Sequence, residues 1–304
     1  FLGIPYAEPP VGNLRFAKPQ PIKHPKEIID ATKEKNTCMQ VIGGPGPLMN
    51  LTYSEDCLVL NIWTPNVGNN APAPALKPVM YWIYGGAFIY GSIFMEFMHN
   101  GSALSTYDVV VVTVNYRLGL FGFLYGERED APGNVGLHDQ LLGLKWVRDN
   151  IHAFGGDKDQ ITIFGESAGS ISVSEHILSP LGKGLFKRAI MQSGAHMYYK
   201  EKDVYDVDQY VNQTKQIAKQ LNCSEAEDWI QCLRGIDAKE FQKYFAFQVF
   251  PFIGTEFRNI TAQKAFDDMK FNSDIDLLAG VTRKEGSLLA HLVNPDNFTV
   301  DSFK

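Results

Sequence analysis

Apolar residues fall along this chain in two rhythms. Val109-Val110-Val111-Val112-Thr113-Val114 is an unbroken β-branched run, the pattern of a strand buried on both faces. Further apolar runs predict strands at 57–63, 79–84, 160–164, 189–191 and 275–280. Between them the spacing changes to threes and fours. Leu137, Leu141, Leu144, Val147, Ile151 and Phe154 mark an amphipathic helix, and a further helix is expected from about Ala168 to Leu178. From 205 to 247 the helical rhythm dominates. Val204, Val207, Val211, Ala218 and Leu221 form a stripe there. Ser224 and Glu227 make a capping box before Trp229 and Leu233, and Asp237 is placed to cap a helix carrying Phe241 and Tyr244. Strands alternating with helices predict an α/β fold, a mainly parallel sheet with helices on both faces, here with a helical insertion. The Pro- and Gly-rich stretch 5–21 predicts edge strands and turns, and 66–78 a surface loop. With no internal repeat, low-complexity tract or clear linker, one domain over 1–304 is the simplest organisation.

Composition narrows the function classes. The formal charge of −6 leaves the chain without the basic footprint of a nucleic-acid binder. The most apolar segment, 108–124, holds Asn115 and Arg117 and is too short to span a bilayer. Cys38, Cys57, Cys223 and Cys232 do not cluster with histidine at zinc-finger spacing. They fall into two sequence-local pairs. Six Asn-x-Ser/Thr sequons begin at Asn50, Asn100, Asn212, Asn222, Asn259 and Asn297. Together with the even cysteine count they predict a secreted or extracellular-facing protein. The chain opens on Phe1-Leu2-Gly3-Ile4-Pro5, without a secretory leader or an initiator Met.

The chemistry centres on Gly165-Glu166-Ser167-Ala168-Gly169. A Gly-x-Ser-x-Gly pentapeptide alone arises by chance in about one in ten chains of this length. Here it falls where a predicted strand ends and a helix begins, which a nucleophile elbow requires. The glycines permit the tight turn and the close approach of strand and helix. A serine needs a base and an oxyanion site to act. Tyr84-Gly85-Gly86-Ala87-Phe88 follows a predicted strand where such folds place their Gly-rich loop. The candidate oxyanion donors are the backbone amides of Gly86, Ala87 and Ala168. No metal or organic cofactor is implied.

These stretches resemble the carboxylesterase/cholinesterase (type-B) family of α/β-hydrolases over nearly the whole chain. The resemblance is carried by Phe1-Leu2-Gly3-Ile4-Pro5-Tyr6-Ala7 with Pro9-Pro10-Val11-Gly12 and Leu14-Arg15-Phe16, by Ser54-Glu55-Asp56-Cys57-Leu58 with Leu60-Asn61-Ile62-Trp63-Thr64-Pro65, by Gly133-Asn134-Val135-Gly136-Leu137 with Asp139-Gln140, and by Phe164 to Gly169. It implies an acyl-enzyme on Ser167 and a small-molecule ester substrate. It implies disulfides Cys38–Cys57 and Cys223–Cys232. Gly280-Val281-Thr282-Arg283-Lys284-Glu285-Gly286-Ser287 resembles the segment bearing the family's acid, with Lys284 in place of the usual Asp, and makes Glu285 the triad acid.

Two departures shape the expectation. In chain order the histidine must follow Glu285, and only His291 does, without the family's His-Gly context. His196 precedes the acid and is at most a pocket residue. The expected account is a fragment lacking both ends, inactive by itself, rather than a pseudoenzyme. The stretch between Cys38 and Cys57 has no Trp, Ile89 follows Phe88, and Leu288 and Leu289 follow Glu285, all where cholinesterases carry aromatics. Glu166 matches their gorge carboxylate. A general carboxylesterase for neutral, apolar esters is therefore expected ahead of a cholinesterase. A non-catalytic adhesion domain of the same fold is the further alternative, disfavoured by Ser167 and Glu285. The sequence leaves the oligomeric state unknown.

Overall fold

The computed structural model describes residues 1–23, 28–41, 51–65, 76–195, 198–199, 202–203, 207–223, 228–244 and 250–287. Among them, seven strands join into one sheet: β1 (Ile4–Pro5), β2 (Val59–Trp63), β3 (Lys77–Ile83), β4 (Val110–Val114), β5 (Gly156–Glu166), β6 (Arg188–Gln192) and β7 (Asp276–Gly280). Their order is β1-β2-β4-β3-β5-β6-β7. β4, β3, β5, β6 and β7 run parallel to one another, while β2 pairs antiparallel with β4 and with β1 at one end. The β-branched run behaves as its pattern predicts: all five residues of β4 are buried.

Both helices expected between the strands form. α1 (Val135–Asn150) buries Leu137, Leu141, Leu144 and Val147, and a 3-10 turn continues it through Ile151–Phe154. α2 (Ala168–Leu178) starts directly after β5 and packs across the sheet against β5 and β6. The helical insertion contains α3 (Val207–Gln220), α4 (Trp229–Gly235) and a 3-10 segment at Ala238–Tyr244. Asp237 caps that segment, its carboxylate accepting from Lys239 N at 2.9 Å. The Ser224/Glu227 box lies outside the described residues; Asp228 caps α4, accepting from Gln231 N at 3.0 Å. A short α5 (Ala262–Asp267) follows. No described helix is long and apolar enough to cross a membrane.

The motifs behind the family resemblance are joints between distant parts of the chain. Arg15 donates to both carboxylate oxygens of Glu55, at 2.6 and 2.5 Å, and to the carbonyls of Leu233 in the last turn of α4 and of Ile236 just after it. Its guanidinium also lies 5.6 Å from the ring centres of Phe121 and Phe241. The disulfides are Cys38–Cys57 and Cys223–Cys232, with Cα separations of 5.0 and 5.7 Å. Removing Arg15 would leave Glu55 and two carbonyls largely buried without their partner. Arg15→Met is therefore expected to cost about 3–5 kcal/mol, read as a lowered urea midpoint; a midpoint unchanged from wild type would refute this role.

Three histidines lie in the interior: His99, His138 and His176. Burial lowers each imidazole from 6.5 to about 4. The fold thus favours their neutral forms. The corresponding stability is fully present above 6.5 and is lost as pH falls toward 4. Urea unfolding is expected to show a clearly lower midpoint at about pH 5 than at about pH 7. Equal midpoints would show that these side chains are solvated in the native state.

Candidate active site

Ser167 sits between β5 and α2 with φ 55° and ψ −122°, a strained geometry for a residue with a side chain. Its amide donates to Gln192 O at 3.0 Å and its carbonyl accepts from Ile171 N at 2.9 Å, which fixes the turn from both sides. The flanking glycines are required by packing. A methyl group on Gly165 would lie 2.7 Å from the Ile83 carbonyl oxygen, and one on Gly169 would overlap that same oxygen outright. Strand and helix meet across these two residues because neither carries a Cβ.

Since β3, β5, β6 and β7 are parallel, the turns after them share one edge of the sheet. The turn after β3 brings Gly85 against the elbow: a Cβ there would stand 3.1 Å from that of Ser167. Gly86, Ala87 and Phe88 then take positive φ in succession, at 109°, 54° and 61°. This costly conformation is held at both ends. Tyr84 stacks on Tyr116 at 4.5 Å, and Tyr116 donates its hydroxyl to Tyr84 O at 2.8 Å. Phe88 is buried against Phe123, its carbonyl accepting from Gly119 N at 2.7 Å. Gln40, two residues after Cys38, exchanges two hydrogen bonds with the Gly91 backbone at 2.8 and 2.9 Å. The first disulfide thereby anchors the far end of the loop. Among the described residues the amides of Gly86 and Ala87 meet no acceptor of the chain.

Glu285 lies in the turn after β7, exposed, and accepts from the Ser193 hydroxyl at 2.5 Å and from the Thr282 amide. These bonds, the Ser193 hydroxyl foremost, hold its carboxyl below the ordinary carboxylate value of 4.5. Ser193 follows β6, has φ 53°, and donates its amide to Gly280 O at 2.8 Å. No motif in the sequence marks Ser193 as a site residue; it meets Glu285 because β6 and β7 are paired side by side. Gly194 completes the wall, its carbonyl accepting from Ser170 Oγ at 2.5 Å. Glu166, next to the nucleophile, has its carboxyl raised first by burial and then by the charge of Glu285.

Among the described residues the histidines are His99, His138, His152 and His176, and none hydrogen-bonds to Ser167 or Glu285. His99 accepts from the Trp82 indole at 3.0 Å and His176 pairs with Gln140 at 3.1 Å, so both serve the interior. His196 and His291 lie outside the described residues, as do Leu288 and Leu289. Among the described residues no cluster of three His, Cys, Asp or Glu side chains is arranged to hold a metal ion.

A mainly parallel sheet, a serine lifted on a strained strand-to-helix turn and a strained glycine loop beside it define an α/β-hydrolase. The carboxylesterase family model matches residues 1–304, and the chain belongs to that family. It is similar to "Acetylcholinesterase" of Danio rerio, 40% identical over 309 residues, covering 94% of this chain and 48% of the relative. It is also similar to "Acetylcholinesterase 4" of Caenorhabditis briggsae, 37% identical over 311 residues, with 94% and 50% covered. "Acetylcholinesterase-1" of Trittame loki is 38% identical over 318 residues, with 97% and 56% covered. The chain thus spans about half the length of the curated relatives it matches.

Proposed function

We propose that the protein hydrolyses carboxylic esters by two-step acyl transfer through Ser167, and that its preferred substrate is a choline ester. The observation that carries the first part is the placement of Ser167 on its strained turn with Gly85 packed against it. In this reading Ser167 Oγ attacks the ester carbonyl and its proton passes to a histidine, which chain order puts after Glu285. The amides of Gly86, Ala87 and Ala168 receive the developing oxyanion. Glu285, held by Ser193 and Thr282, orients the imidazole and stabilises its cation. The alcohol leaves with a proton, and water repeats the sequence on the acyl-enzyme.

For the alcohol, the names of the relatives support choline over the neutral esters that the sequence favours. Glu166 beside the nucleophile supplies an acidic side chain, with a carboxylate oxygen 3.0 Å from where a Cβ on Gly85 would stand, and supports the same reading. Hydrolysis of neutral apolar esters is the second reading, supported by Ile89 and by the lack of Trp between Cys38 and Cys57. The adhesion reading gains nothing from relatives that bear enzyme names. Secretion or display outside the cell is the localisation that two disulfides support.

The test compares an acetylcholine-type ester with its neutral isostere, in which carbon replaces the quaternary nitrogen, using the protein as its gene encodes it. A recognised cation is expected to raise kcat/KM roughly 2- to 30-fold over the isostere, the range of about 0.5–2 kcal/mol for a cation over aromatic faces. Equal rates, or preference for the isostere, would overturn the choline reading and leave the general esterase. No hydrolysis of either by folded protein would overturn both.

A further inference from the structure

The described asparagines divide by burial. Seven begin no sequon: Asn61, Asn115, Asn134 and Asn272 are buried, Asn36 and Asn150 are half-buried, and of the seven Asn13 alone is exposed. Asn100, Asn212, Asn222 and Asn259 each begin one, and all four are exposed. A chance scatter of Ser and Thr two positions downstream would not respect burial. A bulky hydrophilic glycan is tolerated only where the asparagine faces water, so this segregation is what a glycosylated chain retains.

The four sites differ in how early the chain locks them. Asn212 lies in α3, and its partner Thr214 is buried with the hydroxyl donating to Tyr210 O at 2.8 Å. That arrangement exists only after packing, because an isolated helix of this length is marginal in water. Asn100 and Asn259 precede the short helix Ser102–Ser105 and α5, which are still weaker alone. Asn222 is different. It ends α3 in the left-handed region at φ 60°, with its amide bonded to Lys219 O and the next amide to Ala218 O. The following residue is Cys223, crosslinked to Cys232 only nine positions on. A covalent bond closing so short a loop persists in the unpacked chain.

We infer that Asn100, Asn212, Asn222 and Asn259 are N-glycan acceptors, and that closure of the Cys223–Cys232 disulfide competes with glycan transfer to Asn222. The inference rests on the secretory localisation proposed above and is independent of the esterase reading. The co-substrate is a lipid-linked oligosaccharide of the secretory compartment. In the transfer the bond from the first sugar's C1 to the lipid pyrophosphate breaks and a bond from C1 to the asparagine Nδ2 forms. Nδ2 gives up one proton and the lipid pyrophosphate leaves.

The experiment expresses the full chain in a eukaryotic secretory host. Peptide N-glycosidase in heavy-oxygen water then marks each formerly glycosylated asparagine as heavy aspartate for mass spectrometry. Conversion is expected to be near complete at Asn100, Asn212 and Asn259 and partial at Asn222. In Cys232→Ser, the ratio of Asn222 conversion to that of the other three is expected to rise severalfold. Because transfer precedes folding, this is read on the total cellular pool, so a variant that folds poorly still reports. Unmodified asparagine at all four positions in disulfide-bonded protein would overturn the acceptor assignment. An unchanged ratio in Cys232→Ser would overturn the competition with the disulfide.

Discussion

Gly169→Ala is expected to yield little or no folded protein. The added methyl would overlap the carbonyl oxygen of Ile83 and come within 2.9 Å of its carbon and 3.0 Å of the Tyr84 carbonyl carbon. All three are backbone atoms, so no rotamer change relieves the clash. β3, which ends at Ile83, is hydrogen-bonded to β4 on one side and β5 on the other, and cannot step aside without breaking ladders at the centre of the sheet. α2 cannot withdraw either, because its first turn is tied to Ser167 and, through Ser170, to Gly194. Ordinary overpacking costs about 1–3 kcal/mol because side chains give way. Here nothing soft is available, and a loss above about 4 kcal/mol is expected, a large part of the stability of a typical domain. The check is the yield of soluble protein and, for any recovered, its urea midpoint. Gly235→Ala is the control: a methyl there meets nothing within 4 Å, and the change is expected to be neutral or slightly stabilising. A Gly169→Ala protein with a wild-type midpoint would mean that helix and strand are further apart than described.

What the sequence revealed and what it hid follow from the range of each interaction. The β-branched run of β4, the stripe of α1 and the glycines of the elbow are local signals, and each marked its element directly. Asp237 announced its cap because capping spans only a few residues. The pairing of Arg15 with Glu55 joins positions 40 apart and has no periodicity to betray it; only the family resemblance marked those segments as special. Ser193 and Gln40 were invisible for the same reason. Each is a polar loop residue whose partner is distant in sequence: the pairing of β6 with β7 brings Glu285 to Ser193, and only the folded chain brings Gly91 to Gln40. Specificity was the hardest reading. It depends on a few loop side chains, and there the aliphatic residues and the relatives' names pull in opposite directions.

Ser167→Ala separates chemistry from architecture at the same turn. It removes one oxygen and keeps the Cβ, so the strained φ of 55° is no harder to hold than before. Among the described residues Ser167 Oγ has no hydrogen-bond partner, so its loss orphans nothing, and the turn's own bonds run through the backbone. The urea midpoint is therefore expected to stay within the range of about ±0.5 kcal/mol typical of innocuous substitutions. Activity behaves oppositely. Losing the nucleophile of such a site costs on the order of 10⁶ in kcat, with a residual rate from the oxyanion donors and binding alone. On the protein as its gene encodes it, a fluorophosphonate probe is expected to label wild type and not Ser167→Ala. The contrast with Gly169→Ala, two residues away, is the informative part: one change empties the site within an intact fold, the other removes the fold that presents it. Labelling that survives in Ser167→Ala would place the reactive serine elsewhere and remove the basis for acyl transfer at this turn.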